Sequence, residues 1–329
     1  MVGLHAILPG IAAALFGLVT SSVTIPSAHA QATAVDLELV LAVDVSGSID
    51  PVEAQLQREG YMAALSSDAV IEAIRSGVLG RIALTYVEWA GIEHQQTLVE
   101  WRIIESRADA EAFVAALAEV PMRRARRTSI SGAIRYAAPL FANDIESTRQ
   151  VIDISGDGPN NSGPLVSDAR DAAVAEGIVI NGLPIINDRP NPFGLHTMKE
   201  LDLYFENCVI GGRGAFIVVA ESFDDFASAV LIKLILEISD IRPGPNPLRR
   251  HASLMPAGMP PLRWLAPSPL QHVQVRPGNG LPATTLPLPG SPATGLPGAP
   301  KRDLPPGIAD CTIGERQWQR FRQGYDDWP

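Results

Sequence analysis

Between residues 36 and 240 short apolar runs alternate with stretches of helical periodicity. Residues 37–43 (LELVLAV) are apolar at all but one position and read as a buried strand. Asp50-Pro51-Val52-Glu53 follows, with Asp as N-cap, Pro at the first helical position and Glu at the third, so a helix opens there and runs to about residue 65. Residues 81–89 and 97–103 read as strands, the second polar enough for a sheet edge, and 108–118 and 130–141 as helices. A strand over 149–155, a helix over 165–176, a strand over 178–183 and a helix over 196–206 come next. Residues 215–220 and a helix over 223–238, opened by Ser222 with Asp225 three residues on, close the pattern. Strands alternating with helices of this length predict an α/β fold: a doubly wound, mainly parallel sheet. Ligands of such sheets collect at the carboxyl ends of strands where the strand order reverses, which singles out the loops after the first and fourth parallel strands.

Proline and charge divide the chain near residue 240. Ten of the 28 prolines lie in residues 1–240 and 18 in the last 89. The first 240 residues carry 16 basic and 31 acidic side chains, the remainder 10 and 5. Segments such as 281–290 (LPATTLPLPG) lack backbone donors and periodicity, so 241–329 is expected to be a Pro-rich, largely disordered tail behind a compact domain over 31–240. The aromatic end of the chain, with Trp318, Phe321, Tyr325 and Trp328, can dock. Residues 1–30 have an apolar stretch followed by Ala28-His29-Ala30, the small-x-small ending of a cleaved secretory leader, although the start offers His5 in place of Lys or Arg. Pro9 and the polar residues 20–22 interrupt the roughly 20 apolar residues a membrane anchor requires, and no later span is apolar enough. The expectation is an exported protein, periplasmic or secreted, without a transmembrane span.

The composition excludes several classes. At 46% hydrophobic and 19% charged the chain can bury a core, and a net charge of −10 disfavours nucleic acid as partner. No C-x-x-C, H-E-x-x-H or Cys/His cluster supplies zinc or iron–sulfur ligands. Cys208 and Cys311 form either a disulfide strapping the tail's end to the domain or two free thiols. His94 and His196 read as ordinary polar positions.

The chemistry sits after the first strand, in Asp44-Val45-Ser46-Gly47-Ser48. This D-x-S-x-S at a strand end lets alternate side chains converge on one point. Thr128 stands directly before a helix, and Asp157 ends the strand VIDISGD. Three separated segments thus deliver oxygen-only ligands to one rim, which suits a hard divalent cation, Mg²⁺ above all, with Mn²⁺ or Ca²⁺ as substitutes. Alone, D-x-S-x-S also reads as a helix-entry turn capped by its own side chains.

In this combination and order the residues resemble the metal-ion-dependent adhesion site of von Willebrand factor type A domains, over about residues 35–240. The wording D-V-S-G-S-I-D, R-T-S-I-S-G-A-I and S-G-D-G-P-N-N is closest to an exported bacterial subgroup of unknown function. The resemblance implies a six-stranded sheet with one antiparallel edge strand, which 97–103 would supply. It implies Ser46 and Ser48 on the metal directly, Thr128 directly or through water, and Asp44 and Asp157 largely through water. Hydroxyl ligands leave the ion electrophilic, so an Asp or Glu of a protein partner can complete its shell. No His beside these motifs and no nucleophile elbow points to catalysis, so a non-enzymatic binding module is expected.

Two competitors remain. A haloacid dehalogenase-like phosphatase also places an Asp after strand one, but its D-x-D needs an acid where Ser46 stands. A tail-driven envelope scaffold would leave the metal purely structural. Asp153 is either a buried structural group or a partner of the metal ligands. Residues 123–127 (RRARR) either draw acidic partners to the metal face or form a solvated loop. Asn160, Asn161 and the loop 187–193 are rim candidates that turn chemistry explains equally well.

Overall fold

The computed structural model describes residues 33–186, 198, 200–223, 225–241, 274–277 and 307–326. The expected leader, the loop 187–193, His196 and most of the tail lie outside them. The sheet is built on β2 (Leu37–Asp44), flanked on one side by β3 (Ile82–Trp89) and β4 (Gln95–Ile104), and on the other by β6 (Gln150–Gly156), β7 (Val179–Pro184) and β8 (Phe216–Val219). β2, β3, β6, β7 and β8 run parallel, and β4 is antiparallel at the edge, as its polar pattern predicts. A small parallel pair, β1 (Thr33–Val35) with β5 (Ile145–Ser147), lies outside the main sheet.

Every residue of β2 is buried, because helices cover both faces. Leu37, Leu39 and Leu41 face one core with α1 (Pro51–Leu65), α2 (Asp68–Arg75), α3 (Arg107–Glu119) and α7 (Phe226–Ile238). Val40 and Ala42 face the other, with α4 (Ile130–Ala137), α5 (Val166–Ala175) and α6 (Leu201–Tyr204). α1 begins with the expected capping box: Asp50 accepts from the N–H groups of Val52 and Glu53, and Glu53 accepts from the N–H of Asp50.

Several elements depart from the sequence expectation for local reasons. The helix expected over 130–141 tightens into a 3₁₀ turn from Ala138, where Pro139 has no N–H to continue the α-helical ladder. That expected over 196–206 is α6, followed by a π-helical turn over Phe205–Val209 in which Ile210 N–H bonds to Phe205 C=O. There Phe205 packs where a Cβ on Gly182 would lie only 2.6 Å away. The tail adds two ordered elements: β9 (Gln274–Pro277), which extends the expected six strands to seven by pairing antiparallel with β8, and α8 (Ile313–Asp326).

A buried ionic cluster ties β6 to α7. The Lys233 ammonium lies 2.6 Å from Asp153 and 2.5 Å from Glu237, and all three side chains are almost inaccessible. Asn181 donates to Glu237 and accepts from the N–H of Phe216, so the network spans β6, β7, β8 and α7. Asp153 is therefore partnered by α7. One cation faces two carboxylates, and the Asp153 carboxyl is pushed up to about 7 by burial and then by the charge of Glu237, against the pull of Lys233. The native protein thus keeps this proton up to about pH 7 whereas the unfolded chain releases it near pH ~4. The contribution of Asp153 to stability consequently falls as pH rises through that window. Urea unfolding across this range should show that slope flattened in Asp153→Asn; an unchanged slope contradicts it. Lys233→Ala strands two buried carboxylates and should cost about 3–5 kcal/mol in the same measurement.

Candidate metal centre

β2 is the point at which the strand order reverses, with β3 on one side and β6 on the other, so the ends of β2 and β6 open onto a common crevice. Asp44 closes β2 and Asp157 directly follows β6. Gln57 on α1 donates to the Asp44 carbonyl at 2.8 Å and holds the strand end, while the Ser46 N–H donates to Asp44 Oδ1 at 2.7 Å and turns the loop. The Ser46 and Ser48 hydroxyls lie 3.0 Å apart, and Ser48 Oγ donates to Asp157 Oδ1 at 2.7 Å. Hydroxyls and a carboxylate from positions 109 residues apart form one chain.

Thr128 arrives from a third segment. The Ala125 N–H donates to the Val45 carbonyl at 3.2 Å, and the Gly91 N–H to the Arg126 carbonyl at 3.1 Å. A Cβ on Gly91 would stand 2.7 Å from that carbonyl, so only glycine permits the approach. Arg127 takes a left-handed conformation, φ 70°, that turns the chain so that Arg127 faces solvent and Thr128 is buried. The Thr128 N–H donates to Asn161 Oδ1 and its carbonyl accepts from the Asn161 N–H, which ties it to the loop after β6. Its Oγ1 lies 3.9 Å from where a Cβ on Gly158 would stand, next to Asp157.

Electrostatically the crevice is under-compensated. Asp44 is wholly buried, and its Oδ2 has no hydrogen-bond partner. Burial first, then the charge of Asp157, push the Asp44 carboxyl well above the usual range, against the N–H and hydroxyl of Ser46. Burial raises Asp157 to about 6, offset by the hydrogen bond from Ser48. Among the described residues no Lys, Arg or His forms an ion pair with either carboxylate. A divalent cation would supply the missing positive charge, and an oxygen-only donor set of two carboxylates and three hydroxyls fits Mg²⁺ by ligand type. No cluster of three or more His, Cys, Asp and Glu occurs among the described residues, so hydroxyls are needed to make a centre here.

The loops are braced by residues whose role the sequence left ambiguous. Asn160 is fully buried: its Oδ1 accepts from the N–H and Oγ of Ser131 on α4, its N–H donates to Tyr204 Oη, and its Nδ2 donates to Pro164 C=O and to Glu315 on α8. Asn160 and Asn161 thus face inward and hold the site together. A Cβ on Gly314 would fall 2.0 Å from the Asn160 carbonyl, so glycine is what lets α8 dock here. Trp318, also on α8, receives the Arg127 guanidinium 4.4 Å from its ring centroid. Cys208 and Cys311 form a disulfide that pins the chain just ahead of α8. Closing a separation of 103 residues, that bond should contribute about 2–4 kcal/mol, read as the loss of stability in Cys311→Ser. Gly314→Val should leave the disulfide intact yet release α8, seen as faster proteolysis after Arg316; unchanged proteolysis contradicts the docking.

The five residues expected from the sequence, Asp44, Ser46, Ser48, Thr128 and Asp157, are brought to one crevice. Sequence reasoning missed Gln57, Ser131 and Glu315, whereas the docking open to the aromatic end of the chain is made by α8, with Trp318 and Cys311 as its signals. His94 contributes through its backbone, which closes the turn at Ala90 and Gly91.

Strand order, the crevice at the β2/β6 reversal and the placement there of Asp-x-Ser-x-Ser, Thr and Asp resemble the arrangement of von Willebrand factor type A domains. The chain belongs to the family described as protein of unknown function (DUF1194), which matches residues 34–242. No curated protein matches it. Similar solved structures include proximal thread matrix protein 1 from the mussel byssus with a zinc-occupied MIDAS motif (16% identity, 62% of this chain and 46% of that one, TM-score 0.44). Others are the pilus adhesin SpaC from Lactobacillus rhamnosus GG (14%, 63% and 30%, 0.46) and a von Willebrand factor type A protein from Catenulispora acidiphila (11%, 63% and 42%, 0.41). The chain spans less than half the length of each of these.

Proposed function

We propose that this protein is an exported, non-catalytic binding module in which Mg²⁺, held by Asp44, Ser46, Ser48, Thr128 and Asp157, takes up an Asp or Glu carboxylate from a protein partner. The observation that carries this reading is the buried pair Asp44 and Asp157, linked through Ser46 and Ser48 with one carboxylate oxygen unsatisfied and no ion-paired cation among the described residues. Such a pair is costly unless a cation joins it. Bound there, the metal would act as a Lewis acid toward a carboxylate. This chain's residues orient it: Gln57 fixes Asp44, Asn161 fixes Thr128, and Asn160 fixes the loop that carries Asp157.

Export is supported by the Cys208–Cys311 disulfide, a bond that persists in oxidising compartments, together with the leader-like residues 1–30. Among the described residues no helix is long and apolar enough to cross a membrane. A phosphatase reading fares worse: Ser46 stands where an acid is needed, and Asp44 is 0% exposed with Oδ1 engaged by the Ser46 N–H.

In chelator-treated protein, added Mg²⁺ or Mn²⁺ should raise the melting temperature. The gain is about 2.7 kcal/mol at a hundred times the dissociation constant, by mass action. Asp44→Ala should abolish the shift and Thr128→Ala reduce it. Identical melting with and without metal in verified metal-free protein would refute the assignment.

A further inference from the structure

The loop that delivers Thr128 carries four arginines, Arg123, Arg124, Arg126 and Arg127, all exposed. Among the described residues none of them makes an ion pair with a carboxylate, although Arg58, Arg81, Arg107, Arg149 and Arg170 of the same domain all do. The first 240 residues hold 31 acidic against 16 basic side chains, so four guanidiniums in five residues, none in an ion pair among the described residues, are a local reversal of the domain's charge. The loop is not a loose one. Ala125 bonds to the carbonyl of Val45, Arg124 Nη2 donates to the carbonyl of Gly47 at 3.1 Å, and Arg127 lies over Trp318. The loop is therefore anchored to the D-x-S-x-S segment through Ala125 and Arg124 and to α8 through Arg127, which places its arginines beside the metal crevice.

We infer that this arginine crescent is a second recognition element, which selects a partner segment carrying a run of acidic residues beside the carboxylate that reaches the metal. This rests on the proposed metal site and specifies its partner class. Guanidinium groups pair with carboxylates by forked hydrogen bonds, and exposed pairs are individually weak, so discrimination comes from several acting together. Arg127 is held by Trp318 and Arg124 by the Gly47 carbonyl, which leaves Arg123 and Arg126 as the arms toward the partner. A protein segment is favoured over nucleic acid because the strongly acidic remainder of the domain repels an extended polyphosphate, whereas a short acidic run fits within the crescent.

The test compares, by fluorescence anisotropy of the full chain in Mg²⁺, a labelled hexaglutamate, a Gly-Ser peptide with a single glutamate, and an oligothymidylate of the same charge as hexaglutamate. Hexaglutamate should bind about tenfold more tightly than the single-glutamate peptide, equivalent to about 1.4 kcal/mol. That advantage should shrink as NaCl rises and vanish in R123E/R126E and R123A/R126A, with the single-glutamate affinity unchanged. Equal affinity of the two peptides, an advantage that survives both double variants, or oligothymidylate binding as tightly as hexaglutamate would overturn the inference. If chelator and Asp44→Ala leave single-glutamate binding unaltered, it is the metal reading that fails, and the two-point arrangement falls with it.

Discussion

The structure turns on two carboxylates that the fold forces together. Asp44 and Asp157 sit at the ends of neighbouring parallel strands, at the one place where the strand order reverses and side chains from separate segments can meet. Burial disfavours both ionised forms, the charge of Asp157 adds to this at Asp44 and that of Glu53 at Asp157, and serine and backbone groups relieve them. A site of this kind is stable at neutral pH when a cation joins it. The surrounding architecture can be understood as holding that unfavourable pair in place: the glycine-permitted approach of the Arg126 carbonyl, the inward-facing asparagines, and the capping box that starts α1 right after the serines.

The second constraint comes from the end of the chain. α8 reaches the loops on either side of the crevice through Gly314 and Glu315 on Asn160 and Trp318 beneath Arg127, and the disulfide to Cys208 keeps it there. A family match that ends at residue 242 therefore leaves out a helix that shapes the rim. The rim is composite, part domain and part tail, and the left-handed Arg127 is its junction.

Much of the central fold was legible because its signals are periodic and local. β2 announces itself as an apolar run, and Asp50-Pro51-Val52-Glu53 marks the start of α1 by capping chemistry alone. The polar alternation of β4 marked an edge. What the sequence hid depends on tertiary partners. α2 is a short helix following α1 with only Ser67 to announce it, and β9 has four residues that acquire meaning only by pairing with β8. The ligand residues were readable as motifs, but their bracing was not. Nothing local distinguishes Asn160 as a buried junction from an Asn in a turn, and nothing in Lys233 foretells that it sits between Asp153 and Glu237. Polar residues in loops carry several meanings until the fold chooses one.

The most direct measurement is a crystal structure of the full chain grown with Mn²⁺, read by anomalous scattering. An ion in the β2/β6 crevice, with oxygens of Ser46, Ser48 and Thr128 around it and Asp44 and Asp157 facing it, is the predicted result. Manganese found only elsewhere, with the Ser48–Asp157 hydrogen bond and the buried Asp44 unchanged, would contradict it.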